Sequence, residues 1–213
     1  LVRINALRTL QPRGDEPQIK VLFLDKLRND PDSHVRTIAL NALKNEAGVD
    51  GEVREAVVTI LRESNDTTLV TTSINVVQAQ ISSPEVRNEI VSVLSRAEQP
   101  VVAGQAAYAL LPELDEPEVR QVVFDRLKLP LPFEVKYAVS SALISAPPEN
   151  AAYIVSELKP LFLEEPNARL ALNYLRAIQR LDPQTAAELR RQRNISGFSF
   201  EFEVEVKKNR EKR

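Results

Sequence analysis

The stretch LRNDPDSHVRTIALNAL (residues 27–43) decides the fold. Val35, Ala39 and Leu43 stand four residues apart, so a helix through them carries all three along one apolar stripe. The Asp30-Pro31-Asp32 run ahead of it supplies a turn and a choice of N-cap, Asp32 or Ser33. The nine residues VRTIALNAL (35–43) then recur. VRINALRTL occupies 2–10, LVTTSINVV 69–77, VAGQAAYAL 102–110 and VKYAVSSAL 135–143, with starts 33, 34, 33 and 33 residues apart.

A second series fills the gaps: IKVLFLDKL from Ile19, VREAVVTIL from Val53, VRNEIVSVL from Val86, VRQVVFDRL from Val119 and, less closely, IVSELKPLF from Ile154. We call this series A and the first series B. The last A interval is 35 residues, and so is the step from Val135 to Leu170, where LALNYLRAI continues series B. Both excesses fall in SAPPENAA (145–152), so one two-residue insertion explains both. The repeat unit is therefore a helical hairpin that cannot bury its apolar face alone and stacks on its neighbours. The middle ladder residue of series B is usually small (Ala6, Ala39, Ser73, Ala106, Val139) and the last is large (Leu10, Leu43, Val77, Leu110, Leu143), which lets neighbouring helices approach closely at one level. Prolines punctuate the helices, at Pro17, Pro31, Pro84, Pro100, Pro117, Pro132, Pro166 and Pro183.

The chain ends differently. After a short last helix at 183–194, with Asp182 as N-cap, Gly197 frees the chain to turn. Phe198, Phe200, Phe202, Val204 and Val206 then alternate with polar residues, the period of a half-buried β-strand. A lone strand leaves its backbone groups unpaired. It therefore pairs with a β-containing region beyond residue 213 or in another chain, packs as an arm on the helices, or pairs with itself in a second copy. We expect an all-α solenoid of about five hairpins over residues 1–194 and a β-strand with a basic tail over 195–213. The chain opens on Leu1 and lacks methionine, so we expect the solenoid to be truncated at its N-terminus.

Composition narrows the chemistry. A net charge of −2 argues against general nucleic-acid binding, and residues 184–213 concentrate eight Lys or Arg against five Glu in the tail. The chain has no cysteine and one histidine, His34, which the turn places in the first, solvated turn of a helix. Thiolate chemistry and cysteine zinc sites are absent, and nucleophilic catalysis lacks a base held beside a nucleophile. The five glycines are scattered, so no phosphate-cradling loop forms. Glu164 and Glu165 sit in the LEEPN turn, where carboxylates solvate and cap. We expect no catalytic, cofactor or metal site.

Two rows of side chains lie off the apolar stripes. Arg54, Arg87 and Arg120 recur in series A and form either a solvated face or an anion-binding stripe. Arg8, Asn41, Asn75, Tyr108 and Ser141 stand six residues into each B helix. Polar groups around one aromatic anchor suit a protein partner.

The form LRNDPDSHVRTIALNAL, with an Asp/Pro turn, then Val-Arg, then Ala and Leu at helical spacing, resembles a HEAT repeat. Arg36 recurs as Arg3 and Lys136, while Val70 and Ala103 depart from the pattern. The resemblance implies a curved α-solenoid that binds other macromolecules, with B helices lining its concave side. We therefore expect a non-enzymatic scaffold for protein–protein interaction, with Arg8, Asn41, Asn75, Tyr108 and Ser141 facing the partner and the terminal strand docking on a β-element. A narrower resemblance, in PFEVKYAVSSALISAPPENAAYIVSELKPLFLEEPNARLALNYL (132–175), is to the helical domain of the large lipid-transfer proteins, the vitellogenin group. It implies the alternative of a helical domain supporting a lipid cavity.

Overall fold

In a computed structural model, residues 2–193 are described, and every regular element among them is helical. The proposed strand residues Phe198, Phe200, Phe202, Val204 and Val206 lie outside the described residues. The chain divides into two compact units, at Pro147 and Pro148. That division falls inside the two-residue insertion of the repeat.

In the first unit the B helices are α1 (Val2–Leu10), α3 (Ser33–Leu43), α5 (Thr67–Val77), α7 (Pro100–Leu110) and α9 (Phe133–Leu143). The A helices are α2 (Pro17–Asn29), α4 (Gly51–Glu63), α6 (Pro84–Arg96) and α8 (Pro117–Lys128). Each A helix packs on the B helix that follows it: α2 on α3, α4 on α5, α6 on α7, α8 on α9. Helices of one kind also contact in chain order, α1–α3–α5–α7–α9 and α2–α4–α6–α8.

Local chemistry sets the boundaries. Proline occupies the first helical position of α2, α6, α7 and α8, where its missing N–H costs nothing. Asp32, Asp50 and Asp66 cap α3, α4 and α5 through side-chain oxygens that accept backbone N–H groups. The ladder residues form the core: Val53, Val57 and Leu61 in α4, and Val35, Ala39 and Leu43 in α3, are all 0% exposed. The first repeat departs from this rule. Ala6 is exposed and Leu10 half-buried, because α1 packs on α3 without an A helix of its own among the described residues.

The second unit holds α10 (Ala151–Glu164), α11 (Ala168–Leu181) and α12 (Pro183–Arg193), with α11 packed on both others. Ile154, Leu158 and Phe162 are buried at a spacing of four, as are Leu170, Tyr174 and Ile178. Asp182 caps α12, its Oδ1 accepting from Gln184 N at 3.1 Å and Thr185 N at 3.0 Å.

Candidate protein-binding face

The B helices bury the ladder stripe and leave the row six residues in at the surface, as the 3.6-residue turn dictates. Arg8, Asn41, Asn75 and Tyr108 are exposed. Ser141 is not: it is half-buried, and its hydroxyl donates to Tyr137 O at 2.7 Å, turned back along its own helix. Four of the five expected contact residues thus face outward.

Neighbouring B helices link some of these side chains. Gln105 Nε2 on α7 donates to Asn75 Oδ1 on α5 at 2.5 Å, while Asn41 Nδ2 donates within its own helix to Thr37 O at 3.0 Å. Arg8 Nη2 lies 3.1 Å from His34 Nε2. A guanidinium has no acceptor, so His34 accepts through Nε2 and carries its proton on Nδ1 in this arrangement. His34 is exposed at the start of α3, and its backbone N–H donates to Asp32 at 3.0 Å. Arg8 and Asn41 also rim an open concavity of about 560 Å³, together with Gly14, Lys44 and Asn45.

The apolar part of the face lies on α7 and α9. Val101 is 57% exposed and Tyr108 50%; seven residues apart, they share one side of α7. Phe133 and Tyr137 on α9 are half-buried with ring centroids 5.4 Å apart. Gly104 lets these helices close: a Cβ there would sit 3.2 Å from the Ala138 Cβ. Sequence reasoning found Tyr108 but not Val101, although Val101 directly precedes the first ladder residue, Val102, where the chain elsewhere places His34, Thr68 and Glu134.

The arginine row of series A has another role. Arg87 pairs with Glu113 at 2.8 Å and Glu116 at 3.3 Å, both in the turn that leads to the next A helix. Lys20, at the same repeat position, pairs with Asp50 at 2.6 Å and Glu46 at 3.7 Å. The Asp50 carboxyl is held below its ordinary pKa by Lys20 first and by the Val53 N–H it caps second. Arg87 is therefore a clasp between consecutive repeats rather than part of an anion-binding stripe.

In comparison with known proteins, no family model matches the chain and no curated protein matches it.

Proposed function

We propose that the helical repeat is a HEAT-like α-solenoid that works as a non-enzymatic scaffold, holding a protein partner against the exposed face of its B helices. The observation that carries this reading is the pairing of Val101 and Tyr108 on one side of α7. Two large apolar side chains left in water on one helix face, ringed by Asn75, Gln105 and the half-buried Phe133 and Tyr137, match the apolar centre and polar rim of a protein interface. The ordered contacts of like helices within residues 2–147 support the solenoid reading.

The test compares the chain with the double variant Val101→Ser, Tyr108→Ala and with a control, Val21→Ser, which removes an exposed apolar group from α2 instead. Cross-linking in native lysate and mass spectrometry should recover the same partner with the parent chain and the control. Recovery should fall at least about tenfold with the double variant, the loss expected of an interface anchor. Undiminished recovery by a folded double variant rules the α7 face out.

A further inference from the structure

In every later repeat the ladder residues are sealed, and in the first they stand open. At the middle of series B, Ala39, Ser73, Ala106 and Val139 are each 0% exposed, but Ala6 is exposed. At the end of series B, Leu43, Val77, Leu110 and Leu143 are 0% exposed, but Leu10 is half-buried. At the start of series A, Val53, Val86 and Val119 are at most 1% exposed, but Ile19 is half-buried. What covers the later B residues is the A helix of the same hairpin, a packing repeated four times from α2–α3 to α8–α9. The open strip on α1 and the start of α2 continues that interface by one position.

We propose that this edge seats one more amphipathic helix of the A kind, in the same polypeptide and joined to α1 by a short link. The neighbouring repeat defines what the occupant must carry. Arg36 Nε donates to Leu27 O at the C-terminal end of α2, and Arg3 holds the equivalent place on α1, half-exposed and 3.3 Å from Asp30. The occupant's last carbonyls therefore lie at Arg3, where a cation also complements the negative end of the helix. At the other end, Lys20 and Arg87 reach the residue that precedes the next A helix, Asp50 and Glu116. Glu16 precedes α2 in the same register, so a basic second residue on the occupant meets Glu16. Apolar residues at i, i+4 and i+8 then close over Ala6, Leu10 and Ile19. A single polypeptide is favoured because the A-to-B links are only residues 30–32, 64–66 and 97–99, which hold the helix at high effective concentration. This inference rests on the packing of residues 2–147 and not on the partner-binding role of Tyr108, so either can fail alone.

The absence of cysteine gives a direct test. Ala6→Cys is placed in the 213-residue chain and in a version with a second copy of residues 84–100, one A helix with its own link, fused before Leu1. Maleimide labelling at position 6 should be fast in the first and slower by at least about tenfold in the second, as for a site reached only by local opening. Asn41→Cys should label fast in both. The fusion should also melt higher, and changing Val86, Ile90 and Leu94 of the added copy to Ser should abolish both effects. Unchanged labelling in the fusion overturns the proposal. Equal protection by an equimolar free peptide of residues 84–100 overturns the single-polypeptide source. Slow labelling of the unfused chain, with a dimer in sedimentation, assigns the edge to a second copy and overturns it too.

Discussion

Arg87 Nη1 on α6 lies 2.8 Å from Glu113 Oε2, twenty-six residues further on, and Lys20 lies 3.7 Å from Glu46 at the same separation. The repeat between them breaks this pattern. Arg54 holds the basic place, but the acid's place is taken by Gln80, whose buried Oε1 has no hydrogen-bond partner. Replacing Gln80→Glu should complete the clasp and stabilise by about 0.5–1 kcal/mol, the range of a partly shielded ion pair. Urea unfolding checks this. The gain should vanish when Arg54→Ala is added, since a gain that survives would have nothing to do with the pair.

A buried hydroxyl marks another imperfection. Ser73 is 0% exposed at the close-packed middle ladder position, and its Oγ has no partner. The other B helices hold Ala or Val there. Ser73→Ala should stabilise by about 1 kcal/mol by removing an unsatisfied polar group and adding helix propensity; a loss in thermal melts would mean that the hydroxyl is bonded in solution. Tyr174 is similar: its hydroxyl is buried without a partner, and burial first, then the Glu165 charge, pushes its ionisation above the ordinary range. Ultraviolet titration should show one of the four tyrosines ionising only as the chain unfolds.

What the sequence revealed and what it hid divide on physical grounds. Ladder residues such as Val35, Ala39 and Leu43 are legible because burial of a helix face is a local, periodic property. Caps such as Asp32 and Asp182 are legible because the partner N–H groups lie two or three residues away. The break at Pro147 shows in the repeat itself. The clasps Lys20–Asp50 and Arg87–Glu113 join residues 26 to 30 apart, and each charge alone reads as a solvated surface group. The exposure of Ala6 and the inward turn of Ser141 depend on neighbours that no local pattern contains. On the candidate face, Tyr108 stood out as a lone aromatic in a polar row, whereas Val101 beside Val102 read as one more core valine.

Two glycines should respond unequally to alanine. A Cβ on Gly14 would fall 2.4 Å from the backbone oxygen of Ala42, so the turn after α1 must move away from α3. On Gly104 the nearest atom would be the Ala138 Cβ at 3.2 Å, which a small helix shift relieves. Gly14→Ala should destabilise by about 2–3 kcal/mol, the cost of overpacking against rigid backbone, and Gly104→Ala by clearly less. Chemical denaturation of the two variants decides the order.

Acid should unfold the chain partly through its helix caps. Asp66 is held below the ordinary carboxyl range, first by the Leu69 N–H that it accepts at 2.8 Å. A carboxyl with a lowered folded pKa adds stability that is complete above its unfolded pKa of about 4 and is lost as pH falls through the folded value. Stability should therefore drop below about pH 4, and Asp66→Asn, which keeps a capping oxygen, should flatten that drop while costing little near neutrality. An unchanged slope between parent and variant would remove Asp66 from the account.

The last prediction concerns guanidinium groups that close helix ends. Arg126 on α8 is 6% exposed and donates from Nη1 to Ser95 O at 3.0 Å and from Nη2 to Ala97 O, so it caps the C-terminal carbonyls of α6. Arg96 on α6 does the same for α4, through Leu61 O and Arg62 O, but is itself exposed. Burial lowers the Arg126 pKa, the mark of a charge that costs desolvation. The side chain remains favourable because the last carbonyls of a helix have no partners of their own and carry its negative dipole end. Arg126→Met keeps the apolar stem and strands two shielded carbonyls, a loss of about 1–3 kcal/mol after the recovered desolvation is allowed for. Arg96→Met frees carbonyls that water can reach and should cost no more than about 1 kcal/mol. Arg126→Lys should fall between Arg126→Met and the parent, because one ammonium lacks the planar fork that serves two oxygens at once. Equilibrium unfolding of the three variants tests the ranking, and an Arg96→Met loss equal to that of Arg126→Met would show that burial of the capped end is not what gives this contact its strength.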